Sequence, residues 1–99
     1  MSLSNPQKRY LRGLAHALKP LIQIGKLGIT DALIDEFAIA LDRHELVKVK
    51  LAGDDRDDRD QQITELTQRT RAELVQRVGK TACYYRRNED EPKLALPKK

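Results

Sequence analysis

Ninety-nine residues make one domain and leave no room for a second core. With 39% hydrophobic and 34% charged residues, the chain can bury one modest core, which excludes wholesale disorder. A lone cysteine, Cys83, cannot close an internal disulfide, and neither an apolar leader nor a run of about 18 apolar residues is present, so a soluble, monomeric, cytoplasmic protein is expected.

The net charge of +4 is unevenly spread. Up to Thr30 the bases Lys8, Arg9, Arg12, Lys19 and Lys26 face no acid at all, whereas the stretch from Asp31 to Asp60 carries twice as many acids as bases. A polyanion responds to local potential rather than to the total, so the acid-free first third is the expected binding end.

In chain order, Ser4-Asn5-Pro6 reads as a helix cap followed by a helix-starting proline. Leu11, Leu14, Ala15 and Leu18 recur at helical spacing, which predicts a first helix over Pro6 to Leu18, ended by Lys19-Pro20. At about 100° per residue, Arg9, Arg12 and His16 share a stripe beside its apolar face. Leu21 to Ile24 forms a short first strand, Gly25-Lys26-Leu27-Gly28 a turn, and Thr30 the cap of a second helix whose apolar stripe is Leu33, Ile34, Phe37, Ala38 and Leu41.

Leu46 to Leu51 alternates with period two, placing Lys48 and Lys50 on one face of a second strand. Ala52-Gly53-Asp54-Asp55 turns into a third, polar helix over Arg56 to Thr70, held by little more than Ile63 and Leu66. Val75 to Val78 and Thr81 to Arg86 form two strands joined at Gly79-Lys80. The domain is expected to occupy residues 1–87, and the proline-containing stretch over residues 88–99 reads as a polar tail. The order α-β-α-β-α-β-β predicts an α/β fold, a four-stranded mixed sheet packed by helices, with parallel pairing across both β-α-β crossovers and an antiparallel terminal hairpin.

Gly25-Lys26-Leu27-Gly28 carries the most chemistry. Two glycines between a strand and a helix let backbone approach a ligand, the helix N-terminus favours anions, and Lys26 adds a charge at the tip. A GxxG loop clamps the sugar-phosphate backbone in this way in KH modules, although the same glycines also suit an ordinary strand-to-helix turn. Val78-Gly79-Lys80-Thr81 is no phosphate-binding P-loop, because Leu74 stands where that motif needs glycine. Asp54 to Asp60 is no calcium loop, because Arg59 replaces the required glycine. His16, His44 and Cys83 have no metal-ligand spacing, and Cys83 in mid-strand reads as a buried thiol. No catalytic residue, metal or cofactor is expected. In Tyr84-Tyr85-Arg86-Arg87, one tyrosine is expected in the core and the other could stack on a base.

Several short segments, in this order and spacing, resemble one family. They are Lys8-Arg9-Tyr10-Leu11-Arg12-Gly13-Leu14-Ala15-His16, Leu18-Lys19-Pro20, Gly25-Lys26-Leu27-Gly28-Ile29-Thr30, His44-Glu45-Leu46-Val47-Lys48-Val49-Lys50, Val78-Gly79-Lys80-Thr81 and Tyr85-Arg86. Together they are similar to the CRM domain (chloroplast RNA splicing and ribosome maturation), in its stand-alone bacterial, YhbY-like form. The resemblance implies a fold similar to the C-terminal domain of translation initiation factor three. It also implies RNA binding without catalysis, by a protein associated with precursors of the large ribosomal subunit. By position it implies that Gly25, Lys26, Leu27 and Gly28 form the RNA-binding loop, and the basic residues Lys8, Arg9, Arg12, Lys19, Lys80 and Arg86 are expected to complete the RNA-binding set. Two features depart from the pattern: the third helix is acid-rich, and Arg71 stands where a closing glycine is expected. The alternative reading is a protein-interaction adaptor working through that acidic helix.

Overall fold

Ser4 starts the first helix by reciprocal capping. Its hydroxyl accepts the Gln7 N–H at 3.3 Å, and Gln7 Oε1 accepts the Ser4 N–H at 3.0 Å. In the computed structural model, which describes residues 2–97, this helix is α1, Asn5–Ala15. It ends before Leu18 because the N–H groups of Ala17 and Leu18 turn back tightly onto the Leu14 and Ala15 carbonyls. The other elements are β1 (Ile22–Gln23), α2 (Asp31–His44), β2 (Leu46–Lys50), α3 (Arg56–Thr70), β3 (Glu73–Val78) and β4 (Thr81–Tyr85). Thr30 caps α2 as its position suggests, its hydroxyl accepting the Leu33 N–H at 3.1 Å.

The strands lie in the order β1-β2-β4-β3. Only β1 and β2 pair in parallel; β4 is antiparallel to both its neighbours. The parallel pairing expected across the second crossover is therefore corrected. β2 and β3 run in the same direction, but β4 is inserted between them. The tight Gly79-Lys80 turn lets β4 fold straight back into that gap, so that β2 and β3 pair with its two edges.

Alternation along the strands separates two cores. Ile22, Val47, Val49, Ala82 and Tyr84 point to one face and meet Phe37 and Leu41 of α2 and Ile63 and Leu66 of α3. Phe37 and Tyr84 pack edge-on at 5.5 Å between ring centroids. Leu46, Val75, Cys83 and Tyr85 point to the opposite face and meet Leu11 and Ala15 of α1.

Residues 88–97 have no helix or strand, yet they pack as part of the domain. Leu94 and Leu96 sit on the α1-side core, and Gln7 Nε2 donates to the Pro97 carbonyl at 3.0 Å. The anchor is Glu45, fully buried, whose carboxylate accepts the backbone N–H groups of Asn88, Lys93 and Leu94 at 2.6–2.7 Å. Regular structure stops at Tyr85, two residues before the expected boundary at 87, and residues 88–97 pack against the domain beyond it. The last two residues of the expected tail, Lys98 and Lys99, lie outside the described residues.

Candidate nucleic-acid interface

The loop between β1 and α2 is closed by its own backbone: the Gly28 N–H donates to the Gly25 carbonyl at 3.0 Å. Gly28 has φ 72°, a conformation that L side chains adopt only under strain, so its glycine is demanded by the turn itself. Gly25 has no such φ, and a Cβ built on it meets nothing within 4 Å. Neither conformation nor packing explains that glycine. At the tip, Leu27 is 88% exposed, and Lys26 is exposed with no ion-pair partner among the described residues.

The anion-attracting end of α2 is partly taken. Thr30 occupies the Leu33 N–H, and Asp31 sets a carboxylate in the first turn, where it pairs with Arg69 of α3. A cleft of about 660 Å³ separates the loop from the start of α3, and its far wall carries Asp58, Gln61, Gln62 and Glu65. That side of the loop is acidic and does not favour phosphate.

The basic residues expected around the loop divide into two groups. Arg9 and Lys19 are exposed, and Arg12 is half-buried; none has an ion-pair partner among the described residues. The other three are engaged within the protein. Lys8 pairs with Glu73 at 3.6 Å. Lys80 pairs with Asp54 at 2.6 Å, an exposed contact that holds the Asp54 carboxyl below its ordinary pKa, chiefly through their hydrogen bond. Arg86 donates to the Thr70 and Ala38 carbonyls and to Asp42, tying α2, α3 and β4 together at the end of the sheet opposite the loop. Its sequence neighbourhood beside Tyr85 suggested a ligand contact; its geometry is that of an internal clamp.

Neither residue of the Tyr84-Tyr85 pair forms a stacking platform. Tyr84 is fully buried on the α2/α3 side and Tyr85 is 4% exposed on the α1 side, because both faces of β4 are covered there. Cys83 is buried as expected, and burial raises its thiol pKa, leaving it un-ionised near neutrality.

One set of residues outside the expected group stands next to the loop. Strand register aligns Gln23, Lys50, Thr81 and Val78 in a single row across all four strands. Gln23, Lys50 and Val78 are exposed and Thr81 is half-buried. The alternation of Lys48 and Lys50 was visible in the sequence, but nothing in it told how much of that face α1 covers.

A three-layered α/β domain, α1 on one face of the sheet and α2 and α3 on the other, with an exposed GxxG loop and the cations Arg9, Arg12 and Lys19, unpaired among the described residues, defines the class. The model of the CRS1/YhbY (CRM) domain family matches residues 3–86, and the chain belongs to that family. An RNA-binding protein of Haemophilus influenzae is 42% identical over 99% of this chain and 98% of its own length. The Bacillus subtilis protein named "Probable RNA-binding protein YqeI" is 36% identical over 96% of this chain and 99% of its own. Among solved structures, that of the Staphylococcus aureus protein SAV1595 has the same fold, with a TM-score of 0.81 and 38% identity over 97% of this chain and all of that one.

Proposed function

We propose that this protein binds RNA through the Gly25-Lys26-Leu27-Gly28 loop and acts, by binding alone, as a cytoplasmic assembly factor on precursors of the large ribosomal subunit. Gly25 is the observation that carries the reading. A glycine needed by neither the turn nor the core leaves room for a ligand's backbone to lie against the chain. Lys26 supplies a charge for a phosphate, and Leu27 an apolar surface for a ribose or base edge. Arg9, Arg12 and Lys19 extend the cationic surface along α1 and its exit, while Lys8, Lys80 and Arg86 serve mainly inside the fold. The RNA-binding relatives support the ligand class; the ribosomal setting rests on family resemblance.

The test is Gly25→Ala. Because the added methyl enters open space at an unstrained position, the melting temperature should stay within about 4 °C of wild type, in line with a substitution worth under about 0.5 kcal/mol. RNA affinity, measured by fluorescence anisotropy, should fall. A folded variant with wild-type affinity rejects the loop as the clamp.

A further inference from the structure

Beyond the loop, β-sheet register presents a row that the helices leave mostly uncovered. On the α1 side of the sheet, the Lys48–Cys83–Gln76 row is partly roofed by Ala15 and His16 at the end of α1. The next row toward the loop is Gln23–Lys50–Thr81–Val78, which α1 meets only at its very end, where Ala15 and His16 border a small cavity with Thr81 and Val78 and leave Gln23 and Lys50 exposed. Three strand spacings of about 4.8 Å make this row roughly 14 Å long. It starts two residues before Gly25, so the GxxG loop continues from one end, and Lys80 follows Val78 at the other.

We propose that this mostly uncovered row is a second RNA-contact surface, along which the RNA strand held by the loop runs on across the sheet. Lys50, exposed and without an ion-pair partner among the described residues, supplies a phosphate contact in mid-row. Gln23 and Thr81 flank it with hydrogen-bonding groups, and Val78, 59% exposed, offers an apolar patch to a base or ribose. Lys48 strengthens the local potential from the row behind, its amine fixed on the Leu18 carbonyl at 3.2 Å. The direction is set by charge. On the other side of the loop, the cleft, whose near edge includes Gln23, is faced by Asp58 and Glu65, and Asp55 and Asp57 stand exposed and without an ion-pair partner among the described residues at the start of α3. A phosphate chain leaving the loop is repelled there and attracted across the sheet.

The inference rests on the RNA reading of the loop, and the experiment separates the two. Binding of labelled oligouridylate to the full chain is measured as log K against log salt for wild type, Gly25→Ala, Lys50→Gln, Thr81→Glu and, as a control on α3, Arg56→Gln. Lys50→Gln should flatten the slope by about 0.7, the value for one phosphate contact on a single strand. Thr81→Glu should weaken binding severalfold by placing a carboxylate in the row, and Arg56→Gln should leave slope and affinity unchanged. Thermal melts confirm that each variant is folded. If Gly25→Ala weakens binding while Lys50→Gln and Thr81→Glu match wild type, the sheet row is overturned and the loop stands. If wild type does not bind, both fall. Displacement of the RNA by polyglutamate at equal charge concentration would also overturn the proposal, since the row would then be a site for acidic protein rather than RNA.

Discussion

Glu45 shows how much one side chain can organise. It caps α2 with φ 62°, a strained conformation for a residue with a Cβ, and its buried carboxylate gathers three N–H groups from the C-terminal segment. Glu45→Gln keeps the shape but turns an amide NH₂ toward those donors. It should cost about 2–3 kcal/mol in urea unfolding and expose the segment after Arg87 to proteolysis, since hydrogen bonds to a charged acceptor are the strong ones. An unchanged midpoint and cleavage pattern would show that the segment is held by Leu94 and Leu96 alone. Tyr84 and Tyr85 give a pH prediction. Burial, aided for Tyr85 by the charge of Glu45, raises both phenols above their ordinary value of 10.0. A raised folded-state pKa means that the folded chain holds the proton longer than the unfolded one. That contribution to stability is complete below pH 10 and fades as pH rises beyond it. Urea midpoints should therefore fall between pH 9 and pH 11, and Tyr84→Phe, although it forfeits the 2.9 Å bond to the Ile63 carbonyl, should flatten the decline. A midpoint independent of pH over this interval would contradict the assignment.

At the level of elements, α1 does two jobs on two faces. Leu11 and Ala15 are buried against the sheet, while Arg9 and Arg12 lie off that face on the stripe that leads to His16. Replacing both arginines with alanine should change stability by less than about 0.5 kcal/mol, because neither is paired among the described residues. If both contact phosphates, the slope of log K against log salt should flatten by roughly 1.4–1.8, from 0.7–0.9 for each. An unaltered slope removes α1 from the interface. The same helix shows what local sequence can reveal. Ser4 and Gln7, Thr30 and Leu33, and the alternation from Leu46 to Leu51 are local signals, and the caps and strands follow them. The glycine pair was legible as a loop for the same reason. The position of β4 between β2 and β3 depends on pairing between distant segments, which no local period encodes. Likewise, the loss of Lys8, Lys80 and Arg86 to Glu73, Asp54 and Asp42 depends on partners at least 26 residues away in the chain. Arg71 illustrates a departure that the fold absorbs. It closes α3 in the left-handed region at φ 60°, the place glycine would take without strain.

Across the whole molecule, charge and shape give the domain two unlike sides. The sheet separates α1, with its free cations, from α3, whose first turn carries Asp57 and Asp58. On the proposed reading, an RNA is met on the α1 side and at the GxxG loop, and the acidic side faces outward. Some of those acids are already neutralised internally, Asp60 by Arg77 and Asp54 by Lys80, which leaves less charge for an adaptor role than the sequence suggests. Binding by a phosphate-gripping loop and a few cations reads shape more than base identity, so selectivity must come from several weak contacts satisfied together. Folding ribosomal RNA presents such backbone geometries before its helices pack and bury them. The protein should accordingly co-sediment with precursors of the large subunit and be depleted from mature ribosomes and polysomes when a cell extract is fractionated on a sucrose gradient and probed with antibody. Raising the salt in the gradient should release it, since the phosphate contacts are screened within about one Debye length, near 10 Å at 0.1 M. Gly25→Ala should shift it toward the top of the gradient without lowering its abundance, which ties the association to the loop rather than to folding. Wild-type protein found only at the top, or spread equally over precursors and polysomes, rejects the assembly role.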